Sequence, residues 1–311
     1  MLPKDAGTVE AFLNLTKAME VQSILIDKTD CSKEEKGWPP TVLKAFRVTK
    51  IRSFVAFQVR LKEIIRVEAD LRAEGVMGIY FKGIPFALNL YPSPHHRPSS
   101  DADLLISRSA LPIVERIMTR RGYVETPDLL FGTVSQQKQF SLQRGNHLEH
   151  VFEFHLASNN RPLLSPYSYE AISERCINVD FETVQLKTIG SVESFLLSAL
   201  HLRGHLEADR RFLWYYDLKL LADRFGEREW MALREESGLK ECQLLMGATL
   251  SELRSWAPES VPDAISEWAT RVLEDRGEAS AYYLQEGRSN RSDFWVTFWS
   301  LPRWRDRLLT V

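Results

Sequence analysis

Helical spacing of apolar residues dominates both ends of the chain, and strand-like runs occupy its middle. Apolar residues recur every three or four positions from Val9 to Val21, with Thr8 placed to cap that helix. Asp27 to Pro40 is polar and closes on Pro39-Pro40, which predicts a loop. Thr41 to Lys50 and Ile51 to Glu74 read as two helices. The second is long, with Phe54, Phe57, Val59, Leu61 and Ile64 among its apolar positions and Gly75 as its stop.

The period then shortens. Met77 to Phe81 is an apolar run ending in Lys82-Gly83, followed by a short helical segment and a Pro/His/Ser loop. A second apolar run starts at Asp101-Ala102-Asp103 and continues through Leu104-Leu105-Ile106. Ser109 is placed to cap a helix over Ala110 to Arg121, which tolerates Pro112 in its first turn and closes at Gly122. Gln139 to Gln143 and His147 to His155 read as strands, and Asn178 to Lys187 as an edge hairpin. From Ser191 the spacing is helical again, over Val192–Arg203, Arg210–Arg224, Glu227–Glu235, Leu239–Trp256 and Ile265–Leu273. The pattern predicts an α+β fold: a helical lead (1–75), a mixed α/β core (76–188) and a helical C-terminal domain (189–311).

Within the core, Asp101 and Asp103 stand two residues apart at a strand start. Their carboxylates therefore share one face, while Ala102, Leu104 and Ile106 face the other. Side-by-side acids repel unless a cation lies between them. Mg²⁺ is the cation this implies, because it takes carboxylate oxygens together with substrate phosphates, and Mn²⁺ is the alternative. A solvated turn is the plain reading of an isolated Asp-x-Asp, but the apolar run that follows places this pair at a strand. Glu153 is a third carboxylate, on the His147–His155 face that also holds Glu149, Val151 and His155. Glu149 competes with it for the same role.

Lys82-Gly83, Tyr91, Arg97 and Asp101-x-Asp103-Leu104-Leu105 together resemble the signature of the uncharacterised bacterial nucleotidyltransferase family, within the DNA polymerase β-like superfamily. Glu153-Phe154-His155 matches that family's acidic-x-His strand, and His201-x-x-x-His205 through Trp214-x-x-Asp217 a later helical signature. The resemblance spans Lys50 to Phe225. It implies a nucleotidyltransferase-type mixed sheet and transfer of a nucleoside monophosphate from an NTP, ATP first among candidates, with release of pyrophosphate. Asp101, Asp103 and Glu153 would be the catalytic and metal-holding residues. Lys82, Gly83, Arg97, His155, His205 and Asp217 would contact nucleotide or support those that do. Two departures stand out: many relatives have Gly-Ser where this chain has Gly83-Ile84, and the superfamily more often has Asp where Glu153 stands.

Each assignment has a plainer counterpart. Lys82 reads equally as a surface lysine ending a strand, Arg97 as a solvated loop arginine, and His155 as a hydrogen-bonded structural histidine. His201 and His205 sit one helical turn apart, a spacing that suits zinc, but Leu202 stands where a metalloprotease has its glutamate and a third ligand is missing. A polar helix wall lining the cleft, with Arg203 or Arg210 nearby, fits them better. His–Asp pairing with Asp217 between helices is the structural alternative. The aromatic segment around Phe294, Trp295, Phe298 and Trp299 reads as docking on the helical half.

Composition narrows the partners. The chain has 311 residues, 44% hydrophobic and 26% charged, ordinary for a soluble globular protein. A formal net charge of -2 disfavours nucleic acid and leaves a small-molecule or peptide acceptor as the expectation, with a protein side chain or an RNA end also open. Cys31, Cys176 and Cys242 are far apart and form no Cys-x-x-Cys pair, which fits a reduced, cytoplasmic protein. No signal-peptide pattern opens the sequence, and no apolar run approaches the ~20 residues of a membrane span. The class that competes with an enzyme is a non-catalytic nucleotide-binding or interaction protein on the same fold. The three retained acids argue against it, because clustered carboxylates cost stability.

Overall fold

A seven-stranded mixed sheet divides two helical layers. The structure is a computed structural model describing residues 5–29, 37–128, 135–144, 147–159, 163–181, 184–274 and 277–300. The strands are β1 (Ile79–Tyr80), β2 (Ala102–Leu105), β3 (Val124–Glu125), β4 (Gln137–Arg144), β5 (His147–His155), β6 (Ile177–Phe181) and β7 (Val184–Thr188). Their order across the sheet is β3-β4-β5-β2-β1-β7-β6. β2 runs parallel to β5 and antiparallel to β1, and β7 runs parallel to β1.

The N-terminal helices are α1 (Ala6–Ala18), α2 (Gln22–Thr29) and α3 (Pro40–Ala73). Asp5, three residues ahead of the expected cap, closes α1: its Oδ1 accepts from the Thr8 backbone N–H at 2.9 Å. The expected loop from Asp27 gives way to α2, which continues through Thr29. The two helices expected over 41–74 are one helix of 34 residues, since no glycine or proline interrupts it between Thr41 and Ala73. It ends as expected, with Gly75 at φ +71°.

Phe57, Leu61, Ile64, Val67 and Leu71 of α3 bury one stripe against the sheet. α5 (Leu111–Arg120) joins them through Val114, Ile117 and Met118. Alternation along the strands supplies the facing layer: Ala102 and Leu104 from β2, Phe152 and Phe154 from β5. Phe54 and Val59 are not part of that stripe. Val59 lies on the opposite side of the helix, and Phe54 sits half exposed with its ring edge-on to His95.

A second apolar cluster draws on α4 (Gly83–Asn89), α6 (Tyr169–Ser173), α7 (Ser191–Gly204), α8 (Phe212–Ala222), α9 (Glu227–Leu239), α10 (Gln243–Trp256) and α11 (Asp263–Val272), while Ile84 and Ala87 of α4 join the first. Ile79, Phe81 and Leu105 from the strand region share one apolar cluster with Phe195, Leu218, Trp230 and Leu250. Leu239 closes α9, where the sequence pattern had joined it to α10. α12 (Asn290–Ser300) stacks its aromatic rings on one another, and none of its side chains is fully buried; Trp295 and Trp299 face outward, against the expectation of docking. Its tether is polar, with Tyr282 donating to Asp293 at 2.6 Å. Cys176 and Cys242 are free thiols, and Cys31 lies outside the described residues. Among the described residues no helix is long and apolar enough to cross a membrane.

Ile64→Ala should destabilise the protein by about 2–5 kcal/mol through the cavity it leaves under the sheet. Ile51→Ala, on the outward face of the same helix, should change stability by no more than about 0.5 kcal/mol. Urea unfolding of both variants, read by circular dichroism, separates the two faces of α3.

Candidate active site

Strand register brings the acids together. Asp103 on β2 pairs directly with Glu153 on the parallel strand β5, and Leu105 with His155. Residues opposite one another in a sheet project from the same face, so Asp103, Glu153 and His155 rise from one surface while Ala102, Leu104 and Phe154 bury on the other. Asp101 precedes β2 by one residue and shares the side of Asp103. The antiparallel neighbour β1 ends at the same edge, where the Phe81 N–H donates to the Asp103 carbonyl at 3.2 Å. Lys82 and Gly83 therefore follow beside the acids.

These residues line one cavity of about 870 Å³. Lys82, Gly83, Arg97, Asp101, Asp103, Glu153, His155, His201 and His205 all contribute to its wall; Asp217 does not. Glu149 belongs to β5, but its side chain lies outside the described set. Among the described residues, Asp103, Glu153 and His155 each present a ligand atom within 4.8 Å of the others. The His155 Nε2 lies 2.9 Å from Asp103 Oδ1 and 3.7 Å from Glu153 Oε2. Asp101 stands outside that close group and is held by two hydroxyls: Ser99 donates to its Oδ1 at 3.3 Å and Ser100 to its Oδ2 at 3.2 Å.

Burial and mutual repulsion set the protonation of the acids. Burial, then the Asp103 charge, push the Glu153 carboxyl up to about 7. The same two causes raise Asp101 above its ordinary value. Asp103 goes the other way: burial opposes its charge, but the His155 hydrogen bond and the nearby Lys82 outweigh burial and hold it low. One ionised carboxylate flanked by two destabilised ones is a site that gains from a cation. The donors are carboxylate oxygens with one imidazole, a set that fits Mg²⁺ or Mn²⁺.

Gly83 has a steric reason. A Cβ there would come within 2.9 Å of the Ser99 hydroxyl and 3.7 Å of Arg97 Nη1. Ile84, where the family resemblance leads one to expect serine, is buried in the sheet cluster. A hydroxyl at this turn comes instead from Ser99, sixteen residues later, which donates to the Asp101 carbonyl at 2.8 Å. The Ser99-Ser100 pair directly before Asp101 was the available signal for it. Gln137, from the neighbouring strand, donates to Glu153 Oε2 at 3.4 Å, a partner that only the register of β4 reveals. Lys82 holds a left-handed backbone, φ +58°, a conformation that costs a non-glycine residue roughly 1–2 kcal/mol. Its Nζ reaches 3.4 Å from His201 Nδ1.

Arg97 and Asp217 find each other. Arg97 Nη2 donates to Asp217 Oδ2 at 2.8 Å and Nε to Oδ1 at 3.0 Å, while the Tyr91 hydroxyl donates to Oδ1 at 2.7 Å. Burial works against the Arg97 charge, but Asp217 more than compensates and keeps the guanidinium firmly protonated. Asp217 is thus engaged by arginine and tyrosine, and the structural alternative of a His–Asp pair is not formed. His201 and His205 instead pack with Trp214, ring centroids 4.6–4.9 Å apart, as one side of the cavity. The N-terminal lead supplies another wall: Ala18, Met19 and Glu20 line the cavity, and Glu20 binds Arg211 at 2.6 Å.

Asp217→Ala leaves the Arg97 charge buried without its partner and should cost about 3–5 kcal/mol. Tyr91→Phe removes one hydrogen bond to a charged group and should cost about 1.5–3 kcal/mol. Thermal unfolding of the two variants, with the larger loss expected for Asp217→Ala, checks the order.

A family model described as uncharacterised nucleotidyltransferase matches residues 5–258. The sequence matches no curated protein. Among solved structures, the chain is similar to the solution structure of the antibiotic-resistance factor ANT(2'')-Ia, with a TM-score of 0.41 and 14% identity over 58% of this chain and 90% of that one. That likeness is too distant to carry function from one to the other. The family match covers most of the chain, from the first N-terminal helix through the helical layer that closes the cavity: this protein belongs to the uncharacterised nucleotidyltransferase family.

Proposed function

We propose that this nucleotidyltransferase is Mg²⁺-dependent and transfers a nucleoside monophosphate from an NTP, ATP by preference, to a hydroxyl or phosphate of a small molecule or peptide. The observation that carries this reading is the meeting of Asp103, Glu153 and His155 within 4.8 Å, with Asp101, Lys82 and Gly83 on the same cavity wall. Asp101, Asp103 and Glu153 would hold the metal, which when bound neutralises phosphate oxygens and acidifies the attacking group. His155 orients Asp103 through the 2.9 Å contact. Glu153, with its carboxyl near neutrality, is suited to take the proton from the acceptor. Gly83 lets phosphate oxygens approach the backbone, and Lys82 supplies a positive charge beside them. The acceptor oxygen attacks the α-phosphorus in line, a new P–O bond forms, the bond to the β-phosphate oxygen breaks, and pyrophosphate leaves.

The cavity volume of about 870 Å³ falls within the range of small-ligand sites and favours a nucleotide beside a compact acceptor. The formal net charge of -2 supports an acceptor other than nucleic acid. A cytoplasmic location agrees with the unpaired thiols Cys176 and Cys242.

Each α-³²P-labelled NTP, supplied with Mg²⁺ and a cell extract, should yield a labelled acceptor together with pyrophosphate, and ATP should label best. Asp101→Asn combined with Asp103→Asn should abolish labelling while preserving the melting temperature. Full activity in that double variant would remove the metal assignment. A folded wild-type protein that binds NTP but labels nothing would favour a binding protein instead.

The raised Glu153 pKa adds a pH dependence. Its carboxylate is lost as pH falls through about 7, so the ionised ligand is mostly present at pH 8 and mostly absent at pH 6. Mn²⁺ affinity of the nucleotide-free protein should fall about tenfold between those values, as measured by electron paramagnetic resonance. Glu153→Gln should flatten that dependence.

A further inference from the structure

Four permanently or ordinarily positive side chains line the cavity: Lys82, Arg97, Arg210 and Arg211. Two are already neutralised within the protein. Arg97 is held by Asp217 and Arg211 by Glu20. Lys82 sits beside the acids and reaches His201. Arg210 is different. No carboxylate among the described residues lies within ion-pair distance of it, and its Nε is buried with no hydrogen-bond partner.

An arginine cannot escape such a position by losing its proton. A buried, unmatched N–H costs roughly 1–3 kcal/mol. Its surroundings make the charge less welcome still. Burial lowers the pKa of the neighbouring Arg203; Glu252 opposes this, and the charge of Arg210 lowers it further. Arg210 itself closes the Glu207–Asp209 turn between α7 and α8, two residues before α8 begins, so both helices fix its backbone. A cation fixed in a cavity, repelled by Arg203, with the nearby Glu252 already paired to that arginine and no carboxylate at ion-pair distance among the described residues, is arranged for an anion from outside.

We infer that Arg210 is a phosphate anchor of this cavity, acting with Lys82 on the triphosphate of the NTP. This rests on the reading of the site as NTP-binding. Triphosphate is the anion the charge balance favours. The acids Asp101, Asp103 and Glu153 repel it, a bound metal offsets only part of its charge, and Arg97 and Arg211 are spent on Asp217 and Glu20. Arg210 adds a planar fork of N–H donors that can bind two phosphate oxygens at once, where Lys82 offers a single point charge. His201, His205 and Trp214 form the wall along which Lys82 and the α7–α8 connection meet. A nucleotide with its phosphates on these two cations would have its base or sugar near that aromatic surface.

The test is calorimetric titration of the full-length protein with inorganic tripolyphosphate and with α,β-methylene-ATP, each in Mg²⁺. Arg210→Gln should weaken both ligands by about 10- to 100-fold and leave the melting temperature and Mn²⁺ affinity as in wild type. Arg210→Lys, keeping the charge without the fork, should recover part of the loss, a rescue that a packing role would not produce. If Arg210→Gln melts early, Arg210→Lys alone carries the comparison, and it should bind tripolyphosphate more weakly than wild type. Unchanged tripolyphosphate affinity in a stable Arg210 variant overturns the anchor and leaves the NTP reading standing. A wild-type protein that binds neither ligand removes both.

Discussion

The pair Arg97–Asp217 joins two parts of the chain that must agree for the cavity to exist. Arg97 belongs to the loop that delivers Ser99, Ser100 and Asp101 to the head of β2, and Asp217 lies inside α8 of the helical layer. Their bidentate contact, with Tyr91 from the end of α4 as third partner, fixes that loop against that helix. Buried ion pairs are poor stabilisers compared with apolar packing of the same volume, because two charges must be stripped of water. Their strength lies in direction: a planar guanidinium fork favours a coplanar, bidentate approach of the carboxylate, as the Nε and Nη2 bonds of Arg97 make here. The loop before the acids is therefore held at a defined distance from α8.

Around that fixed point the acids carry their own cost. Asp101 and Glu153 are destabilised as anions, and Lys82 adopts a backbone conformation that favours glycine. The core offsets this from both sides. Phe152 and Phe154 stack under the sheet, and the antiparallel bond from Phe81 to Asp103 pins the strand edge. Strain and repulsion concentrated at one strand edge, with ordinary packing elsewhere, is the distribution expected where a protein preserves chemistry at the expense of stability.

Much of this was legible in the sequence because it depends on local period. Alternation placed Asp101 and Asp103 on one face of a strand, and Glu153 with His155 on one face of another. Where the reading went wrong, a longer-range effect decided. A helix start moved to Asp5 because an acidic cap outcompeted Thr8, and α3 stayed whole because nothing in its sequence breaks it. Phe54 and Val59 look like core residues by type, and only the position of the sheet shows which stripe of α3 is covered. Arg97 and Asp217 could each be named as signature residues. That they would bind one another, 120 positions apart, is a property of the assembled layers. Gln137 and Glu20 reach the site through tertiary placement, and a single sequence gives no periodic signal for them.

The wall formed by Ala18, Met19 and Glu20 bears on how the protein comes into being. Glu20 is held by Arg211, 191 positions later, and the Met19 carbonyl accepts from the Leu213 N–H. The first helix is made long before α8, which supplies part of the surface that receives it. Contacts of such long sequence separation carry a loop-closure cost that local contacts do not. Closing this wall of the cavity therefore has a larger entropic cost than pairing β1 with β2, whose partners stand about 25 positions apart.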